Sequence, residues 1–176
     1  MNIRLLLSVL LIITLAGCSS VELSDLTIRN NRHYKGNSSQ PYSGKVVSHY
    51  ATANKQGKPR LHMEGSMKNG LKEGKWITYK WNGGRLVARY KAGRLHGKSE
   101  LFDRAGTIRH LKEYTHGRLD GMSVDYNRAG EEIKTAFYKD GALIPIPPPG
   151  DKKDIMRQVE QLWDTFSEGF NQPPRE

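Results

Sequence analysis

The stretches NGLKEG (residues 69–74), AGRLHG (92–97) and HGRLDG (116–121) each set two glycines four residues apart. How those glycines are used decides the fold. Glycines that open a helix and cradle an anion point to phosphate chemistry, whereas glycines that punctuate strands point to a scaffold. The register holds on both sides of each stretch. Gly70, Gly93, Gly117 and Gly141 are spaced 23, 24 and 24 residues apart, and Gly74, Gly97 and Gly121 follow the first three by four. Tyr79, Phe102 and Tyr126 come five residues later, and Gly83, Gly106 and Gly130 four after those. Tyr90, Tyr114 and Tyr138 each precede the next glycine by three. Five registers kept over three copies mark an internal repeat.

Each copy alternates a strand-like run with a turn. Lys75–Trp81 is rich in aromatic and β-branched residues and is broken by Asn82-Gly83-Gly84; Arg85–Lys91 returns and closes on Ala92-Gly93. Glycine takes positive φ without steric penalty, so its recurrence at hairpin ends follows from geometry. The expected fold class is mainly β: an antiparallel β-hairpin repeat meander over 42–143 with one C-terminal amphipathic α-helix. Gly70, Gly74, Gly83, Gly93, Gly97, Gly106, Gly117, Gly121, Gly130 and Gly141 are read as structural turn glycines. The stretch from Tyr42 to Gly70 reads as a stretched opening copy, turned at Gln56-Gly57, with an insertion around residues 51–55. The two aromatic ladders are expected to stack down the sheet as core.

The stretches Asn69–Trp76, Gly93–Gly97 and Gly117–Gly121, with the Tyr or Phe five residues beyond, resemble the bacterial variant of the MORN repeat, in the group often labelled YwqK-type antitoxin. The resemblance covers about 100 residues. It implies stacked β-hairpins and, for some members, toxin neutralisation. Two departures stand out: the stretched opening copy, and a final copy in which Asp140-Gly-Ala-Leu-Ile-Pro145 reaches proline before a second glycine.

The ends carry different information. Residues 1–17 have the layout of a cleaved secretory signal, with Arg4 before an apolar run too short to span a bilayer comfortably. Leu15-Ala16-Gly17-Cys18 resembles the lipobox of bacterial lipoproteins, which implies a covalent lipid on Cys18, the chain's single cysteine. By the same resemblance, Ser19 is compatible with outer-membrane sorting, placing the protein in the cell envelope facing the periplasm. The remaining divisions are a flexible tether over 18–41, a proline-rich spacer over 144–150, a helix over 151–170 and a disordered tail over 171–176. Ile155, Val159, Leu162 and Phe166 recur at helical spacing. With four basic and six acidic side chains, residues 150–176 suit packing on the protein's own sheet better than lying on a membrane.

Catalytic chemistry finds no footing in the motifs. None of the six histidines, His96 included, stands in an HExxH arrangement, and no GxSxG elbow occurs. No catalytic residue, metal ligand or cofactor is expected, and the chain is read as not an enzyme. His96, Glu73 and Asp120 share one register, which suggests a solvated turn position. Charge is more informative: residues 42–143 hold 20 Lys/Arg against 10 Asp/Glu. Lys75, Arg85, Arg89, Arg94, Arg109 and Arg118 are candidate partner-binding residues that would line one face. The expected partner is an acidic protein, such as a toxin or effector, or another envelope protein, with membrane contact through the lipid anchor. Export argues against nucleic acid. The leading function is a lipid-anchored binding protein acting as an immunity or antitoxin protein; the alternative is an envelope scaffold that binds a protein or the anionic membrane surface. Replacing Cys18 by Ser is expected to abolish incorporation of radiolabelled palmitate and to release the chain from the membrane fraction.

Overall fold

The computed structural model describes residues 19–145, together with Arg157 and Gln161, both in helical backbone. Twelve strands follow in chain order: β1 (Val21–Glu22), β2 (Leu26–Arg29), β3 (Arg32–Lys35), β4 (Gly44–His49), β5 (Leu61–Lys68), β6 (Leu71–Tyr79), β7 (Arg85–Lys91), β8 (Arg94–Phe102), β9 (Ile108–Thr115), β10 (Arg118–Tyr126), β11 (Glu132–Lys139) and β12 (Ala142–Ile144). Strands β4 to β12 lie side by side in chain order in one antiparallel sheet, with β1 added in parallel beside β4. Strands β2 and β3 form a separate hairpin. The protein is mainly β, a meander of hairpin-connected strands.

Two kinds of turn alternate along it. Asn69-Gly70, Ala92-Gly93, His116-Gly117 and Asp140-Gly141 are two-residue connections with positive φ at both residues. That is the I′ geometry, whose twist matches the strands it joins. At the other end, 80–84, 103–107 and 127–131 are five-residue loops. Asp103 Oδ1 accepts the backbone N–H groups of Ala105 and Thr107, and Asn127 Oδ1 those of Ala129 and Glu131. Asn54 does the same for Gln56 and Lys58, and Gly57 N donates to Asn54 O. The opening copy therefore keeps the ordinary loop at 54–58. Its extra length goes into the hairpin arms, where Tyr50 N bonds Arg60 O at 2.8 Å.

The glycine assignment is corrected at three positions. Gly74, Gly97 and Gly121 have φ of 68°, 86° and 121° but lie inside β6, β8 and β10, not at turns. Opposite each, the register slips so that three residues face one: Gly65 faces 74–76, Arg89 faces 96–98 and Glu113 faces 120–122. These are β-bulges, which bend a strand and increase its twist. Beyond each bulge the strand runs alongside the next turn. There Gly93 N donates to Lys72 O, Gly117 N to Leu95 O and Gly141 N to Leu119 O, at 2.7–2.9 Å.

The tether expected over 18–41 is also corrected: from Ser19 onward it is folded. Gly70 N makes the same bond to the opening copy, donating to Tyr42 O at 2.7 Å, while His33 N donates to Gly70 O and Arg32 Nη1 to Asn69 O. Leu26 is buried with Val46, Met67 and Trp76, and Val21, Leu23 and Tyr42 pack around them. The polar composition that suggested a tether belongs to the turns of this segment; its spaced leucines supply the core. Trp76 sits over Gly65, where an added Cβ would collide with the indole, and its Nε1 donates to Ser66 O. Signal, lipidated cysteine, most of the spacer, and the expected helix and tail apart from Arg157 and Gln161 lie outside the described residues.

The second residue of one turn and the first residue of the next are expected to respond with opposite sign. At Gly70 (φ 76°) a Cβ would also meet His33 backbone atoms at 2.8 Å, so Gly70→Ala is expected to cost about 3 kcal/mol and lower the melting temperature by roughly 6–12 °C. Ala92, a non-glycine at φ 50°, is expected to gain about 0.5–1 kcal/mol on replacement by Asn, which tolerates this region. Thermal unfolding followed by circular dichroism reads both.

Candidate functional site

Side chains directly opposite one another across strands share a face, and neighbours along a strand alternate. The register therefore sorts the two surfaces. One face carries Trp76, Ala88, Tyr90 and Tyr114; the other carries Lys75 opposite Arg89, and Tyr79 opposite Arg85 opposite Phe102. We call them the tryptophan face and the arginine face. Arg94 and Arg118 precede Leu95 and Leu119, which pair with Tyr90 and Tyr114, so both belong to the arginine face. Five of the six basic residues singled out in the sequence thus share one surface. Lys75, Arg89, Arg94 and Arg118 are exposed. Arg85 is half-buried, with its guanidinium 4.4 Å from the centre of the Phe102 ring.

Arg109 is the exception. It is the extra residue of a bulge, since His110 pairs with Leu101 and Ile108 with Phe102. Its Nη1 is buried and has no hydrogen-bond partner, so it is not part of an open stripe. Two further lysines join the surface: Lys98, opposite Glu113, and Lys45, opposite Ser66. Lys45 and Lys75 flank a cavity of about 410 Å³ whose floor includes Val47, Glu64 and Ile77. Lys45 and Lys98 each stand one residue after a repeat glycine, Gly44 and Gly97, as Lys75 does after Gly74, so the spacing carried a signal for both.

The aromatic ladders also separate. Tyr79, Phe102 and Tyr126 stand on the arginine face, and Tyr90, Tyr114 and Tyr138 on the tryptophan face. All six are half-buried, so neither ladder is core. The buried positions are instead Val46, Met67, Trp76 and Ala88 on the tryptophan face and Leu111, Val124, Phe137 and Ile144 on the arginine face. The core thus changes sides along the sheet.

The phosphate reading of the paired glycines has no geometric support: strands follow them, and the turn N–H groups are already donated to carbonyls. His96, Glu73 and Asp120 are not solvated turn residues. Glu73 Oε2 accepts the N–H of Ala92, Asp120 pairs with Lys139 Nζ at 3.2 Å, and the His96 ring lies 5.6 Å from that of His116. This register belongs to the contact between one repeat and the next turn. Among the described residues two histidine–carboxylate pairs occur, His110 with Asp125 at 2.6 Å and His49 with Glu22 at 2.9 Å, and no described hydroxyl or thiol is hydrogen-bonded to either imidazole. No group of three His, Cys, Asp or Glu among the described residues is placed to hold a metal ion. No protein-family model matches the chain, and no curated protein matches it.

Among the described residues three groups have displaced proton affinities. The hydrogen bond from Tyr79 Oη to Glu64 Oε1 at 2.6 Å, reinforced by burial and by that carboxylate's charge, holds the Tyr79 phenol above its ordinary range against an opposing Arg85. Burial raises the Tyr90 phenol, with Tyr114 adding to it. Burial lowers the Lys72 ammonium, which stands 4.4 Å above the Trp76 ring.

A tyrosine raised on folding contributes stability that is fully present below its unfolded pKa and lost as pH climbs through the folded value. A lowered lysine acts oppositely: stability rises with pH between its folded value and 10.5. Tyr79→Phe is expected to cost about 1 kcal/mol at neutral pH, a small figure because the half-buried hydroxyl remains within reach of solvent. It should also flatten the loss of stability above pH 10 relative to the parent protein, which retains the Lys72 contribution. Urea unfolding from pH 7 to 11 gives both readings.

Proposed function

We propose that this is a lipid-anchored envelope protein whose hairpin repeats, of MORN type, form a rigid surface that binds an acidic protein partner, and that it acts as an immunity or antitoxin protein. The observation that carries the reading is the shared placement of Lys75, Arg85, Arg89, Arg94 and Arg118, joined by Lys45 and Lys98, on one face of a single sheet. A row of like charges on a rigid support steers an oppositely charged macromolecule and sets register. The broad open surface suits a protein better than a small substrate, which needs a concave pocket.

Two experiments bear on it. Capture of the product of an adjacent gene by the tagged mature protein should fall at least tenfold when Lys75 and Arg89, which face one another, are both changed to Glu. Capture by the parent protein should also weaken between 50 and 500 mM salt. Deleting the gene alone should harm the cell, and deleting it with its neighbour should not. Unchanged capture by the double variant sinks the electrostatic version, and a harmless single deletion sinks immunity.

A further inference from the structure

The tryptophan face continues past the N-terminal segment as an open trough. We propose that this trough is a docking groove for an acidic, apolar segment of a partner protein, with apolar side chains about three residues apart and a carboxylate placed on Lys112. The proposal rests on the reading of the sheet as a protein-binding surface and adds a second contact on the opposite face.

The register defines the trough. Ala88, Ser99, Lys112, Ser123 and Ala136 lie directly opposite one another across β7 to β11 and form a floor that is small except at Lys112. Leu86, Leu101 and His110 stand along one side. Along the other stand three cross-turn pairs, Tyr90 with Leu95, Tyr114 with Leu119 and Tyr138 with Leu143. Between β7 and β9 the depression measures about 320 Å³, and Leu143 at its far end is 60% exposed. An apolar surface of this kind, lined by leucine and tyrosine at each repeat, marks an interaction site.

Charge narrows the occupant. Lys112 is half-buried, and among the described residues its ammonium makes no hydrogen bond or ion pair. The acid on this stretch of the face, Asp125, is held by His110 at 2.6 Å. A half-buried cation among apolar walls calls for an anion.

The molecule itself shows what fills such a trough. One repeat earlier, where the floor is Val46 and Trp76, the chain packs Val21, Leu23 and Leu26, from a stretch over 21–26 with two acids and no base in which Val21-Glu22 pairs the edge of β4 and Leu23–Asp25 forms a 3-10 turn. Leu23 and Leu26 pack on the core, while Glu22, opposite Val47 at the edge and on the arginine face, bonds the N–H and ring of His49. The open trough continues that interface. Its Tyr–Leu pairs recur at every second strand, about 10 Å apart, which three residues of extended chain span. Leu23 and Leu26 are three apart in sequence and would take that spacing in an extended peptide, whereas in the chain itself Leu23–Asp25 is a 3-10 turn. A periodic row of pockets favours a polypeptide over an acyl chain, which has no such period.

The test uses the full mature protein and a dye-labelled peptide of residues 20–28, SVELSDLTI, followed by fluorescence anisotropy. Saturable binding is expected, weakened at least tenfold by Lys112→Gln and, independently, by Leu143→Asp, each with unchanged far-ultraviolet circular dichroism. A peptide with Glu22 and Asp25 replaced by Lys should not bind. No saturable binding overturns the proposal. So does binding indifferent to both variants, which would mean exchange with the chain's own segment at Trp76. Displacement of the peptide by phosphatidylglycerol vesicles, lost in Lys112→Gln, would assign the trough to lipid instead. A dimer in light scattering that Leu143→Asp dissolves would assign it to a second copy. If the peptide fails while the Lys75/Arg89 variant still loses partner capture, the groove is wrong and the binding function stands.

Discussion

Everything in this molecule depends on one hydrogen bond made again at each repeat. The glycine of a two-residue turn donates its N–H to a carbonyl of the preceding hairpin: Gly93 to Lys72, Gly117 to Leu95, Gly141 to Leu119. A turn can reach back in this way only if the strand beneath it runs past the end of its own ladder, and the bulges at Gly74, Gly97 and Gly121 provide that overrun. Both features need positive φ, which accounts for two glycines per copy with different duties. The bond ties neighbouring repeats through backbone, so side chains on both faces are left to vary.

A chain of identical contacts must begin somewhere. The row begins at Gly70, whose N–H goes to Tyr42 O, two residues before Gly44 as Lys72 is before Gly74, and the folded segment brings Arg32 and His33 against the same turn. The segment also buries Leu26 on Trp76 and adds β1 to the open side of β4. One element thus caps the backbone array, covers part of the apolar face and blunts an edge that would otherwise pair with another chain. At the far side β12 is three residues long and ends at Pro145, which cannot extend a ladder. Between these ends the tryptophan face is left open over β7 to β11 while the arginine face there is buried at Leu111, Val124 and Phe137.

The repeat, its hairpins and their two-residue turns were legible in the sequence, because glycine at positive φ is a local demand that leaves a fixed spacing; the insertion expected around 51–55 lies instead in the arms on both sides of an ordinary loop at 54–58. The bulge glycines were legible as conserved spacing within the chain but not as bulges, since a turn and a bulge ask for the same backbone region and differ only in what lies across the ladder. Arg109 fell into the basic stripe by composition and out of it by a register slip that no local pattern marks. The N-terminal segment was misread for a related reason: its Asn and Ser residues look like linker, and its leucines gain meaning only when Trp76 is beside them.

What this sequence by itself determined is the alternation of strand and turn, because φ preferences and β-propensity act within a few residues. Which face each side chain occupies, where three residues oppose one, and which half of each face is covered were decided by the tertiary structure. Those properties depend on cross-strand register and on contacts between residues up to fifty positions apart, such as Leu26 with Trp76. The glycines of NGLKEG, AGRLHG and HGRLDG therefore announced a hairpin array on their own, while the surfaces that the array offers to a partner emerged only when its strands were laid side by side.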